Sequence, residues 1–354
     1  ARNLIRQIDR NNNNSLIIVV GCSVRSKDND YTKIVDELKQ NNNRFFVMDN
    51  AKQDVASFIA NEFGKKRSAE AHVAPVFRTR AFLKITDGCN NFCSYCIVPF
   101  VRGREKSRPI EDIVAEVKAM EAKGVKEIVI TGISIGDYSF GLEDLMEALL
   151  DATKVIRFRI SSLRPSKISE RLVQIMKNER ICPHLHISLQ SASDKVLKLM
   201  NRLDYTSDDL VRRIKYFYKE LEHRHPFIAA DVIVGFPGEG DAEFKETLAV
   251  LNKIPMNKLH IFVFSPRPGT KAYDMKKEND NEVYIRRDAL LEFSKARYAK
   301  SLNNMVGERV EVIWETATEG HSENYFAVRG VGNPNTLGNY IVGSVDEEHL
   351  CLLP

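Results

Sequence analysis

The sequence predicts an α/β protein: a partial (β/α)6 barrel of TIM type, preceded by a partial α/β domain and followed by a small OB-like β-barrel. Three observations carry this. Between residues 77 and 303, six short apolar runs alternate with helix-period segments, the pattern of parallel strands covered by helices. Residues 1–70 repeat that alternation on a smaller scale. Residues 304–354 switch to closely spaced strands punctuated by Gly and Asn, as small barrels do.

Taken in order, residues 16–20 form a continuous apolar run suited to a buried parallel strand, ending at Gly21-Cys22-Ser23. A helical pattern over 31–38, a strand over 45–48 and a helix over 53–63 follow, with Asn runs at 11–14 and 41–43 as polar turns. The charged stretch 64–75 reads as a linker. Barrel strands are expected at 82–85, 127–131, 157–160, 184–189, 229–234 and 258–264, with helices between them, for example over 113–123 and 208–223. A long charged helix over 281–305 leads to strands at 309–314, 325–329, 340–345 and 350–353. In barrels of this kind the chemistry sits at the carboxyl ends of the strands.

Hydrophobic residues make up 43% of the 354-residue chain and charged residues 28%, ordinary for a globular protein with a sizeable core. No stretch approaches the ~20 apolar residues that span a bilayer. Residues 1–6 lack the apolar run of a signal peptide, so a cytoplasmic protein without a membrane partner is expected. The net charge of +4 is unevenly placed. Residues 304–354 contain two basic and eight acidic side chains, which leaves +10 on residues 1–303. A polyanion should therefore approach the body rather than the tail.

Three of the six cysteines fall within eight residues, in Cys89-Asn90-Asn91-Phe92-Cys93-Ser94-Tyr95-Cys96, directly after the first barrel strand. This C-x3-C-x2-C spacing can give three thiolates to a [4Fe–4S] cluster. The fourth iron is then open to an amino-carboxylate chelate such as the methionyl end of S-adenosylmethionine (SAM). One electron from the cluster would cleave the sulfonium of SAM. The alternative is structural zinc, which wants four ligands. The nearest later candidates for a fourth are Cys182 and His184, so zinc is the weaker reading. Cys182 and Cys351 lie in apolar sequence and read as core.

The cysteine motif on the first strand of a six-fold β/α series resembles the radical SAM superfamily. The run Gly88 to Phe100, with Arg102-Gly103 and Ser107-Arg108, is narrower and resembles the methylthiotransferases of the MiaB, MtaB and RimO group. The resemblance continues, in order, through Thr131–Tyr138, Arg159–Leu163, His186–Asp194, Asp231–Glu239 and Phe264–Thr270, and covers nearly the whole chain. The terminal barrel resembles their TRAM domain. Residues 131–138 and 320–325 look most like the MtaB branch, whose members methylthiolate C2 of N6-threonylcarbamoyladenosine at position 37 of tRNA.

The resemblance implies a radical SAM cluster on Cys89, Cys93 and Cys96, and SAM lying across the strand ends beside Tyr95, Gly132, Ser161, Ser162, Gln190 and Asp231. Read as bare residues, Gly132 is equally a turn glycine and Asp231 equally structural, and Glu239 is equally an acid in a helix's first turn. Arg102, Arg104, Lys106 and Arg108 suit RNA phosphates or a solvated loop. The family carries a second [4Fe–4S] cluster on three N-terminal cysteines. Cys22 matches the third, and the first two would lie upstream of residue 1, which implies an N-terminal truncation. The expected partners are tRNA, an electron donor such as flavodoxin or ferredoxin and an unknown sulfur source, acting on a monomer. Two other readings stay open: a methylthiotransferase for isopentenyladenosine or for a ribosomal-protein aspartate, the latter favoured by the acidic tail, and a non-catalytic RNA-binding protein with a structural metal.

Overall fold

The structure, a computed structural model, describes residues 17–20, 45–48, 52–63 and 79–353. The N-terminal region contributes strands β1 (Ile17–Val20) and β2 (Phe45–Met48), paired in parallel, and helix α1 (Lys52–Phe63). The helix expected over 31–38 and Cys22 lie outside the described residues.

The body is mixed α/β. Strands β3 (Arg80–Asp87), β4 (Lys106–Ser107), β5 (Glu127–Gly132) and β6 (Arg157–Ile160) form one sheet in the order β4-β3-β5-β6. Strands β7 (Ser162–Leu163), β8 (His184–Gln190), β9 (Phe227–Val234) and β10 (Lys258–Val263) form a second, in the order β10-β9-β8-β7. Only Ser161 separates β6 from β7, so the sheets follow one another without a break in the chain. The six long strands match the six expected. The hairpin-like β4 and the two-residue β7 are too short to leave a periodic signal. β3, β5 and β6 are parallel neighbours, as are β7 to β10.

Between the strands run α2 (Val98–Val101), α3 (Ile110–Ala122), α4 (Leu142–Ala152), α5 (Glu170–Ile175), α6 (Asp194–Leu199), α7 (Ser207–Leu221) and α8 (Asp241–Lys253). The long α9 (Asp280–Asn303) follows β10. Helix α7 shows how the sequence sets such an element. Thr206 and Asp209 make a reciprocal capping box, which satisfies two otherwise orphaned N–H groups. Leu210, Ile214, Phe217 and Leu221 then form one buried stripe at helical spacing. That stripe shares a core with Ile113, Val117, Leu145, Leu149 and the outward strand residues Leu83, Ile85, Ile128, Ile130, Phe158, Leu185, Ile187, Leu189, Ile228 and Ala230. Because strand side chains alternate, the intervening residues, including Glu127, Arg157, Arg159, His184, His186, Asp231 and His260, point to the opposite, inner face.

The last segment is a closed five-stranded barrel in the order β11-β12-β13-β15-β14, built from β11 (Arg309–Trp314), β12 (Glu319–Ser322), β13 (Ala327–Arg329), β14 (Leu337–Val345) and β15 (Leu350–Leu352). Four strands are expected here from sequence. The fifth, β12, is the polar run Glu-Gly-His-Ser, which carries no apolar alternation. Tyr325, expected in a strand, has φ 78° and makes the turn before β13 instead. The chain's single tryptophan, Trp314, is fully buried in this barrel and donates Nε1–H to Tyr340 Oη at 2.9 Å. A methyl group at Gly332 would overlap the indole ring. Gly332→Ala is therefore expected to destabilise the barrel by about 1–3 kcal/mol, read as an earlier Trp314 fluorescence transition in urea; an unchanged midpoint would refute the packing account.

The acidic character of this segment has a structural use. Glu311 pairs with Arg157 at 2.9 Å, Glu315 with Arg80 at 2.5 Å and Glu308 with His225 at 3.2 Å. Beside these pairs Phe326 packs edge-on against Phe227 at 4.9 Å, and Asn324 Nδ2 donates to the His225 carbonyl at 3.0 Å. The small barrel thus turns part of its negative charge toward the basic body.

Candidate active site around the three-cysteine loop

The loop begins where β3 ends. Gly88 has φ 73°, and a Cβ there would overlap the Arg104 carbonyl, so only glycine turns the chain at this point. The Asp87 carboxylate receives Gly88 N–H at 2.9 Å, Lys84 at 3.0 Å and Arg102 Nη1 at 3.1 and 3.2 Å. Burial alone would raise its pKa, but these donors hold it below the usual value. Further along, Cys89 N–H bonds the Gly103 carbonyl at 3.1 Å, Ser94 N–H bonds Met200 O at 2.9 Å, and Ser94 O receives Ala272 N–H at 2.8 Å. The loop is therefore tied to three separate parts of the body.

Cys89, Cys93 and Cys96 are not joined in disulfides among the described residues. Cys89 Sγ accepts both the backbone N–H and the Nδ2–H of Asn91, each at 3.4 Å. Asn91 Nδ2 also donates to Asp137 Oδ2 at 2.6 Å, and Asp137 is paired with Lys167 at 2.7 Å. Cys93, the buried one, faces Arg164 Nη1 at 3.5 Å and Arg202 Nη1 at 3.9 Å. Amide donors therefore stand beside Cys89 and guanidinium cations beside Cys93, and both kinds of group can hydrogen-bond to a sulfur that ligates iron. Among the described residues no three His, Cys, Asp or Glu side chains converge on a single metal ion. A mononuclear zinc site needs such convergence, whereas a [4Fe–4S] cubane gives each thiolate its own iron. The donor set fits a cluster.

Arg164 and Arg202 are the functional residues that sequence reasoning missed. Arg164 is held by Asp204, with Nε donating to Oδ2 at 3.0 Å. Arg202 donates to the Ser188 carbonyl, and to Tyr95 Oη at 3.5 Å. Arg164 lies 71 residues and Arg202 109 residues from Cys93 in sequence, so nothing local marks them. Tyr95 itself is partly buried against Val196, Met200, Phe236 and Ala272, with Phe236 edge-on at 6.3 Å. Burial is the chief cause that pushes its phenol far above the usual range.

The other expected residues divide. Gln190 ends β8 at φ 69° and is 9% exposed. A bulky residue held there marks stored strain of the kind found at ligand sites. Ser161 is half-buried between β6 and β7, and Ser162 is exposed on β7. Gly132 has a packing reason to be glycine: a Cβ would overlap Thr86 Oγ1 on β3. Asp231 lies on the inner face and accepts from His186 Nε2 at 2.9 Å. In the basic run, Arg102 is held by Asp87, Arg108 pairs with Glu116 at 2.6 Å, and Arg104 lies over the Phe92 ring at 4.3 Å. Arg104 and Lys106 are exposed.

Two expectations are corrected. Cys182 is buried, but in ionic rather than apolar surroundings, with Sγ 3.9 Å from Glu127 Oε2 and Arg157 and Arg159 beside that carboxylate; burial above all pushes its thiol up to about 11. Glu239 precedes α8 and does not cap its dipole. Its carboxyl is buried and accepts the Gly235 N–H at 2.5 Å, closing the Gly-Phe-Pro-Gly-Glu turn. Burial raises its pKa to about 7, against the lowering effects of that N–H and of Arg286. The fold therefore takes up a proton between pH of about 4.5 and 7, and stability falls as pH rises through that window. Glu239→Gln is expected to flatten this fall in urea midpoints measured from pH 5 to 8; equal slopes in both proteins would refute it.

A family model described as the Radical SAM superfamily matches residues 83–251. The threonylcarbamoyladenosine tRNA methylthiotransferase MtaB of Chlamydia pneumoniae is 37% identical over 366 residues, covering 99% of this chain and 84% of its own. The chain belongs to the MtaB-type family of radical SAM methylthiotransferases. The MtaB of Thermotoga maritima is 35% identical, covering 94% of this chain and 80% of its own. The MiaB side of the group is also near: a tRNA-2-methylthio-N(6)-dimethylallyladenosine synthase of Caldicellulosiruptor saccharolyticus is 35% identical over 73% of this chain and 55% of its own. Membership in the MtaB-type family implies a [4Fe–4S] cluster and SAM, which the three-cysteine loop suits. Among the described residues no helix is long and apolar enough to cross a membrane.

Proposed function

We propose that this radical SAM methylthiotransferase adds a methylthio group to C2 of N6-threonylcarbamoyladenosine at position 37 of tRNA. The observation that carries the reading is the near-complete alignment with a relative of that name, at 37% identity over 99% of the chain. In this reading the two sheets are one incomplete (β/α)6 barrel and the five-stranded barrel is a TRAM domain. Cys89, Cys93 and Cys96 hold the radical SAM cluster. Bound cluster and SAM supply one-electron cleavage of the sulfonium and, from a second SAM, the methyl group. The protein's own part is placement and exclusion of water. Asn91, Arg164 and Arg202 hydrogen-bond to the ligating sulfurs. Tyr95, Ser161, Ser162 and Gln190 line the SAM side of the loop. Exposed Arg104 and Lys106 are the members of the basic run left to meet RNA phosphate.

The further elements of the proposal are an auxiliary [4Fe–4S] cluster using Cys22, an electron donor of the flavodoxin or ferredoxin class, and a monomer working in the cytoplasm. The acidic tail does not favour a ribosomal-protein substrate, because Glu308, Glu311 and Glu315 pair with the body. Mass spectrometry of tRNA nucleosides tests the reading. Cells lacking the gene should accumulate unthiolated threonylcarbamoyladenosine, and the wild-type gene should restore the product. An unchanged nucleoside profile would end the proposal.

A further inference from the structure

The inner face of β8, β9 and β10 carries a group of polar side chains that the cluster loop does not use. His260 on β10 is the register partner of Asp231 on β9, and His186 on β8 stands opposite Ala229. The small Ala229 side chain leaves room for the His186 ring to lie across β9. It stacks flat on His260, with centroids 5.2 Å apart and planes 4° apart, while its Nε2 bonds Asp231 Oδ1 at 2.9 Å. Asp231 thus fixes the orientation of His186, and His186 fixes that of His260. The imidazole of His260 makes no hydrogen bond to another described residue, and it is only half-buried. Lys258, two residues earlier on the same face, is turned over the Tyr298 ring at 4.8 Å. Phe262, two residues later, is exposed.

A ring held flat against His186, with both nitrogens left over, is built to meet something else. It sits three residues before the carboxyl end of β10, about 10 Å along the strand. That is the span of a modified adenine with its N6 arm, for a base reacting near the strand ends. Burial is the main cause holding the pKa of His260 below normal, with His186 and Lys258 adding to it and Asp231 opposing it, so the ring offers a neutral N–H donor and an acceptor. We propose that His260 is a specificity-determining residue that hydrogen-bonds the polar, carboxylate-bearing arm of the substrate base, with His186 and Asp231 as its positioning residues. This rests on the proposed function. A site that hydrogen-bonds a substrate group rejects an analogue lacking it far better than an apolar pocket rejects an extra polar group. An isopentenyl arm has nothing to offer His260.

The test compares anticodon stem-loops carrying threonylcarbamoyladenosine or isopentenyladenosine, using reconstituted holoenzyme. His260→Phe keeps the stack and removes both nitrogens; His260→Gln keeps a donor and an acceptor. Wild type is expected to prefer the threonylcarbamoyl substrate. His260→Phe should lower kcat/KM for it by roughly 100-fold, mainly through KM, with little change for the isopentenyl substrate, and His260→Gln should recover part of the loss. A His260→Phe enzyme that keeps the wild-type ratio, or loses both activities equally while His260→Gln keeps the wild-type ratio and KM, overturns the proposal. A wild type that modifies only the isopentenyl stem-loop overturns the proposed substrate, and this inference with it.

Discussion

Cys93→Ala is expected to abolish cluster binding at the three-cysteine loop and, with it, all turnover. Of the three thiols it is the buried one, and it is the one that two guanidiniums face, Arg164 at 3.5 Å and Arg202 at 3.9 Å. Two remaining thiolates leave two irons of a cubane without protein ligands, so iron from this site should fall from about four per chain to near zero. The measurements are iron and sulfide content after anaerobic reconstitution, and SAM cleavage on reduction. Arg202→Met, which leaves all three ligands but removes one neighbouring cation, should cost about 10–100-fold in activity, as outer-shell changes do. Cys182→Ala is the control: it removes a buried thiol beside Glu127 and should keep its iron. Full iron loading in Cys93→Ala, or stoichiometric zinc in wild type, would sink the cluster assignment.

The largest stability effect should come from the other end of the strands. Glu127 at the start of β5 is fully buried between two arginines, with Arg157 Nε at 2.6 Å and Arg159 Nε at 2.8 Å. The same guanidiniums reach across to the small barrel, Arg157 to Glu311 at 2.9 Å and Arg159 to the Ser322 carbonyl at 3.4 Å. Glu127→Ala leaves both cations buried with no shared carboxylate, a change that costs about 3–5 kcal/mol. The pH dependence has a definite sign. Burial alone would raise the Glu127 pKa, but Arg159 and Arg157 overcome it and hold the carboxyl well below its usual value of 4.5. The stabilisation is therefore full above that value and is lost as pH falls toward the depressed folded pKa. Glu127→Gln should lack this acid limb. Urea unfolding followed by Trp314 fluorescence and by circular dichroism checks both points. In Glu127→Ala the Trp314 transition should also separate from the dichroism transition, because the anchor between barrel and body is weakened. A variant within about 0.5 kcal/mol of wild type, typical of surface changes, would refute the account.

Much of the site was legible because its parts are close in the chain. Cys89, Cys93 and Cys96 sit on one loop, and the thiolate chemistry follows from residue type and spacing. The six long strands were legible because each is a short apolar run between helices, a signal that survives without tertiary context. β12 was not, because Glu319–Ser322 pairs through its backbone and carries no apolar pattern. Cys182 was misread for a related reason: its sequence neighbours Ile181 and Pro183 are apolar, yet its spatial neighbours are Glu127 and two arginines.

The chemistry-bearing loop, the order of strands and helices and the division of charge between body and tail can all be read from residue order alone. Local spacing and hydrophobic period are written in contiguous residues, so no folding is needed to read them. Which distant side chains meet emerges from the folded molecule: Arg164 and Arg202 beside Cys93, Glu311 and Glu315 against the arginines of the body, and His260 stacked on His186. Those meetings depend on strand register and on which face each alternate residue takes. A one-residue slip reverses that face, so these contacts are properties of the assembled sheets and not of any segment.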